Sequence, residues 1–251
     1  MNSALTSSIV FACLVAAVLL GRTVRRYLPE QHLTGDSKDA VKLAMGLVAT
    51  MTALLLGLLV SSAKGTYDNQ RSEVIEMAAK VTFMDRAFAA YGPDAAAVRA
   101  QFRATVEAAV HRMWPQESKQ PAQLAPNVVA GDALYSALQN LSPQNELQRS
   151  LKEQLVSQAT ELGQLQMLLV AQSVPSVAKP LLVAVVCWLL VIYLCFSLLS
   201  PPNTTTTLAF VVSALSVAGA IFLVLELDRP LGGWIEISSQ PMQNALKRIT
   251  P

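Results

Sequence analysis

The chain has 251 residues, of which 53% are apolar and only 14% charged, where an ordinary soluble domain carries about 25% charge. With a mean hydropathy of +0.41 there is too little polar surface to clothe a globular core, and membrane residence follows. The 19 Lys and Arg against 17 Asp and Glu leave a net charge of +2, and no basic block or aromatic–basic interleaving occurs, so nucleic acid is excluded as a partner. Cys13, Cys187 and Cys195 lie inside apolar runs, where they act as small hydrophobes and not as a disulfide framework.

A spanning helix needs about 20 mostly apolar residues. Four segments meet that requirement: Ala4–Gly21, Val41–Ser62, Pro180–Ser200 and Thr207–Leu227. The first lacks a basic leader, and its cluster Arg22, Arg25 and Arg26 follows the apolar run, so it reads as a retained anchor. Orientation follows from Lys and Arg in short loops. Arg22, Arg25, Arg26, Lys38 and Lys42 place the loop after the first span in the cytoplasm, while Arg229, Lys247 and Arg248 of the tail vote the other way. The long segment 63–179 is then extracytoplasmic, in a bacterial inner membrane.

That segment is helical in pattern. Val74, Met77, Val81, Met84, Phe88 and Tyr91 recur with the seven-residue period of packed helices. With no proline over 41–91, the second span is expected to continue as one helix of about 50 residues, ~75 Å at 1.5 Å per residue, ended by Gly92-Pro93. A further helix, Pro93–Trp114, shows Val98, Phe102, Val106, Val110 and Met113 on one face. After Pro115, Pro121 and Pro126 a short helix is expected near Asp132–Asn140. Ser142-Pro143 reads as the start of a long helix to Ser173, with Leu147, Leu151, Leu155, Leu162, Leu165 and Leu169 in register. Pro175 and Pro180 bend the chain into the third span. In the tail, Trp234–Ser238 alternates like a short strand, with Trp234 placed as an interfacial anchor, and Gln240–Ile249 suits a small amphipathic helix.

The reading is an all-α protein: four transmembrane helices with a long extramembrane helical bundle between the second and third spans. Its divisions are 1–62, a first helix pair; 63–179, the bundle; 180–227, a second pair; and 228–251, an interfacial turn and tail.

On a helical wheel Gly46, Thr50, Ala53, Gly57 and Ser61 of the second span fall within about 80° of one another. The spacing carries this small, weakly polar stripe on to Lys64, Asp68 and Arg71, and Lys42 caps its other end. Such stripes let helices approach closely; copies around an axis would equally line a pore with charged mouths. The fourth span has a weaker small face, Ala209, Ser213, Ser216 and Ala220, and ends in a turn, Glu226, Asp228, Arg229 and Pro230, where a local Asp–Arg pair is expected. Lys42 and Lys64 favour anions, Glu226 and Asp228 cations. His32 and His111 stand alone, and no metal-ligand spacing, nucleotide-binding loop or catalytic triad occurs, so neither cofactor nor enzymatic activity is expected. Two functions remain open. One is an oligomeric ion channel-like protein with the second helix around the axis, passing small inorganic ions. The other is a non-conducting scaffold or sensor whose bundle binds a partner.

Two stretches carry a resemblance. Met45-Gly46-Leu47-Val48-Ala49-Thr50-Met51-Thr52-Ala53-Leu54-Leu55-Leu56-Gly57-Leu58-Leu59-Val60-Ser61-Ser62-Ala63-Lys64, continuing through Tyr67-Asp68-Asn69-Gln70-Arg71, resembles the second helix of the bacterial membrane proteins labelled bestrophin-like. Leu227-Asp228-Arg229-Pro230-Leu231-Gly232-Gly233 and Ile235-Glu236-Ile237-Ser238-Ser239-Gln240-Pro241 resemble the tail of the same family. The resemblance covers the whole four-span layout. It implies kinship with bestrophins, pentameric anion channels lined by their second helix and carrying their central helices in the cytosol. A bestrophin throat is lined by isoleucine and phenylalanine, whereas residues 43–62 here contain no aromatic residue and no isoleucine. The cytosolic placement also opposes the loop-charge reading.

Overall fold

A computed structural model describes residues 2–27, 35–115, 125, 127–172, 179–201, 203–229 and 232–249. Among these are eight α-helices: α1 Ser3–Arg25, α2 Gly35–Tyr91, α3 Ala96–Met113, α4 Val128–Gln139, α5 Glu146–Gln172, α6 Lys179–Leu199, α7 Thr204–Leu227 and α8 Gln240–Arg248. A 3₁₀ turn, Pro93–Ala95, precedes α3. The fold is all-α, and α1, α2, α6 and α7 are long and apolar enough to cross a membrane. The chain divides into two compact units, Met1–Gly65 with Pro175–Asp228, and Thr66–Val174 with Arg229–Pro251.

In the first unit α1 packs on both α6 and α7. Leu14 and Val18 of α1 meet Val185 and Leu189 of α6, Ala214, Ile221 and Val224 of α7, and Leu59 and Ala63 of α2 in one buried cluster. The packed small residues of α7 are thus Ala214 and Ala218, while Ala209, Ser213 and Ser216 are exposed. The α1–α6 crossing is close because Gly21 lacks a side chain: a Cβ there would stand 2.6 Å from the Leu194 carbonyl oxygen and 3.1 Å from Ser197 Cβ. Ser197 Oγ donates to the Val18 carbonyl at 2.6 Å, and the Arg25 guanidinium donates to the Ser200 carbonyl. Small residues and interhelical hydrogen bonds replace the hydrophobic effect, which lipid does not supply. α7 opens three residues before the expected Thr207, since Asn203 Oδ1 accepts from the Thr206 amide at 2.9 Å and so caps an earlier turn.

The second unit is built on the far part of α2. All six residues of its seven-residue pattern, Val74 to Tyr91, are buried, as are the five on α3 from Val98 to Met113. Phe88 and Phe102 meet with ring centroids 5.5 Å apart, and Leu138 of α4, Leu155 and Leu169 of α5 and Met242 and Ala245 of α8 complete the cluster. α2 ends at Tyr91 as expected, because Gly92 takes φ 104°, a region open to glycine at little cost, and Pro93 cannot continue the helix.

Four expectations are corrected in this unit. α4 begins at Val128, ahead of Asp132, because Asn127 Oδ1 accepts from the Ala130 amide at 3.3 Å. α5 begins at Glu146, not behind Ser142-Pro143: Asn145 Oδ1 accepts from the Gln148 amide at 2.8 Å while Gln148 Oε1 accepts from the Gln144 amide at 2.7 Å, a reciprocal cap one residue displaced from the usual box. Leu147, in that first turn, is 64% exposed and outside the leucine stripe. Trp234–Ser238 forms no strand: the described residues offer no second strand to pair with, and unpaired strand edges are unstable when buried. The stretch instead buries Ile237 and offers its carbonyl to Trp114 Nε1 at 2.8 Å.

Candidate functional site

Within the first unit α2 presents three faces, spaced as a 3.6-residue period requires. Thr52, Leu59 and Ala63 are buried, with Leu55 and Leu56 packed beside them. Leu43, Leu47, Leu54 and Leu58 form a second face, each more than half exposed. The third face is the small stripe: Gly46 is half-buried, and Thr50, Ala53, Gly57 and Ser61 are exposed. A Cβ added at Gly46 or Gly57 would meet nothing within 4 Å. The contrast with Gly21 is physical. Gly21 is small because α6 occupies the space; among the described residues nothing lies within 4 Å of a Cβ at Gly46 or Gly57.

Thr50 is exposed, yet its hydroxyl donates to the Leu47 carbonyl at 2.8 Å, which leaves only its lone pairs to anything outside the helix. Of the charged positions, Lys42 is exposed and pairs with Asp39 at 2.9 Å, an (i, i+3) contact that offsets its charge. Lys64 is exposed near the end of the first unit, and Asp68 and Arg71 are exposed in the second. Only 11% of the apolar window of α2 is buried, against 28% for α1, 28% for α6 and 22% for α7, so its own chain covers this helix least.

The residues of the turn after α7 are not equivalent. Glu226 is fully buried, and its carboxylate accepts from the Ser3 hydroxyl at the start of α1. A carboxylate at that place also suits the positive end of the helix dipole. The sequence alone does not show this partner, since the apolar run of the first span begins after it, at Ala4. Asp228 is the C-cap of α7, its amide donating to the Val224 carbonyl at 3.2 Å. Arg229 is half-buried. Pro230, like His32, lies outside the described residues; His111 is exposed. The cysteines Cys13, Cys187 and Cys195 are free. Among the described residues no group of three His, Cys, Asp or Glu could hold a metal ion.

In the second unit polar side chains tie α2 to α5. Lys80 Nζ donates to Glu161 at 2.5 Å, a hydrogen bond that holds the ammonium above its ordinary range and the carboxylate below its own. Closer to the end of α5, Gln70 Nε2 donates to the Gln172 carbonyl at 3.0 Å and Gln172 Nε2 donates to Glu73 Oε1 at 2.7 Å. Glu73 Oε2 is buried with no hydrogen-bond partner among the described residues. Burial raises the Glu73 carboxyl; the Gln172 amide works against this and the Glu76 charge adds to it. A carboxyl raised in the fold loses stability as pH climbs past the ordinary carboxylate range and through the raised native value. Melting temperatures of Glu73→Gln between pH 4 and pH 7 are therefore expected to fall less with rising pH than those of the wild-type chain. Parallel profiles would show that Glu73 is not the group responsible.

The class these features define is a four-span helical integral membrane protein with a helical extramembrane unit. The Bestrophin-like domain model matches residues 12–242, nearly the whole chain, and the chain belongs to that family, a family of ion-channel-like membrane proteins. No curated protein and no solved structure gives a significant match.

Proposed function

We propose that the protein is an oligomeric ion channel in which copies of α2 surround the axis. One observation carries the reading: the small stripe of α2 is largely exposed, although glycine inside a helix costs about 1 kcal/mol relative to alanine and no described residue of the chain requires it at Gly46 or Gly57. Close approach of a second copy, or a narrow aqueous axis, gives that cost a purpose. The leucine face beside it is left for lipid or for the neighbouring subunit. Membership of a channel-like family supports the same reading. The loop charges orient the protein with residues 63–179 outside the cytoplasm of a bacterial inner membrane.

By spacing along α2, copies of Lys64, Asp68 and Arg71 stack as charged rings beyond the stripe, with Lys42 at the opposite mouth. Purified protein in planar bilayers is expected to conduct, and to migrate as an oligomer in detergent. Lys64→Glu is expected to shift the reversal potential under a salt gradient toward cation preference, more at low ionic strength where screening is weak. Absence of conductance under all salts and voltages would overturn the channel. An unmoved reversal potential in a normally assembled Lys64→Glu protein would place that ammonium among lipid headgroups, as long basic side chains at helix ends often are.

A second reading is a non-conducting scaffold. It is favoured by an apolar groove of about 770 Å³ in the second unit, lined by Leu134, Tyr135, Leu162, Met167 and Leu168 of α4 and α5. It requires a partner that co-purifies and an axis sealed by leucine or lipid.

A further inference from the structure

A separate cavity of about 580 Å³ lies in the second unit, formed by the end of α2, the first half of α3 and Ile249. Its size is that of a small-molecule pocket. The walls are small or apolar, chiefly Phe88, Ala89, Ala96 and Ala100, and Arg99 and Arg103, one turn apart on α3, complete the lining. The two arginines are not equivalent. Arg99 donates Nε to Asp85 at 2.6 Å, a contact whose carboxylate side is only 11% exposed. Arg103 is half-buried, and among the described residues it has neither an ion-pair partner nor a hydrogen bond. Glu107, one turn further along α3, is exposed and forms no ion pair with it in the described structure. A half-buried arginine at the wall of an apolar cavity, with no counter-charge among the described residues, calls for an anion.

We propose that this cavity binds an organic monoanion with an apolar body, a medium-chain carboxylate in chemical type. The carboxylate sits on Arg103, with the Arg99 donors that Asp85 does not use as a second contact, and the alkyl chain lies along the alanine wall. The composition of the walls selects this class. An inorganic anion would leave the apolar surface wet, a neutral hydrocarbon would leave Arg103 unpaired, and a dicarboxylate would press its second charge against Phe88 and the alanines. Side chains longer than alanine at positions 96 and 100 would fill the space the ligand needs.

The test uses the full chain in lipid nanodiscs and equilibrium dialysis against radiolabelled octanoate, with empty nanodiscs reporting partition into lipid. Saturable binding of one octanoate per chain is expected. Arg103→Gln should weaken it about tenfold or more, the loss expected for a charge-assisted contact. Ala100→Leu, at an exposed position the core does not use, should abolish it while leaving the melting temperature within a few degrees of wild type. Octanol should compete weakly, and equally well against wild type and Arg103→Gln. The proposal is overturned by uptake no greater than that of empty nanodiscs, by wild-type affinity in both variants, or by acetate or phosphate displacing octanoate at equal concentration. None of these readouts involves conduction, so this site and the proposed channel stand or fall separately.

Discussion

Gly21→Ala is expected to destabilise the first unit, although alanine is the best helix former and replacing an interior helical glycine ordinarily gains about 1 kcal/mol. The sign reverses because of what lies opposite. The added Cβ would stand 2.6 Å from the Leu194 carbonyl oxygen and 3.3 Å from the Leu198 amide nitrogen, and these are backbone atoms of a packed helix that no rotamer change can move. α1 must withdraw from α6, which lengthens the Ser197–Val18 hydrogen bond and loosens Leu14 and Val18 against Val185 and Leu189. Overpacking of this kind costs about 1–3 kcal/mol, and for a chain of this size that lowers the melting temperature by roughly 2–12 °C. Gly65→Ala is the matched control. A Cβ at Gly65 meets nothing within 4 Å, so that variant should be as stable as wild type or slightly more so. Thermal melts in detergent decide the matter, and a Gly21→Ala protein at least as stable as wild type would mean that α1 and α6 do not cross here.

Much of the helical framework was legible because burial is written as a period. Val74 to Tyr91 on α2 and Val98 to Met113 on α3 each repeat at helical spacing, and Gly92-Pro93 marks the only chemistry that ends α2 there. What escaped was whatever depends on a neighbour distant in sequence. Gly21 looked like the end of an apolar run, since only the fold reveals the Leu194 carbonyl beside it. Ser3 and Glu226 sit at the outer ends of different spans and become partners only when α1 and α7 lie side by side. The start of α5 was missed for a different reason. Asn145 and Gln148 spell a capping pattern that is readable, but Pro143 offers a competing start, and the backbone chose the side chains that satisfy its amides. Ile235 and Ile237 alternate like strand residues, yet alternation cannot form a strand without a second edge. In the candidate site the spacing of the α2 stripe was readable; whether the space beside it is filled was not. Gly21 and Gly57 look alike in the sequence, and one is packed while the other is open.

That openness makes Gly57→Leu the sharpest probe of assembly. Among the described residues of one chain nothing lies within 4 Å of where a Cβ at position 57 would stand, and leucine is a better helix former than glycine. Expression and the melting of the single chain are therefore expected to be unharmed. Any loss must come from outside the chain. If the stripe faces other copies of α2 or a narrow axis, the leucine either forces neighbouring backbones apart, at about 1–3 kcal/mol for each contact, or fills the passage. Each 1.4 kcal/mol is tenfold in an association constant, so oligomer yield should fall about tenfold or more, or conduction should cease in oligomers that survive. Gln164→Leu supplies the matched change in an exposed position of α5, where the same side chain should leave assembly and flux unaltered. Size-exclusion profiles with light scattering, together with bilayer recordings, read both quantities. Oligomer yield and conductance equal to wild type in Gly57→Leu would show that lipid covers the stripe and that another face of the protein surrounds whatever axis exists.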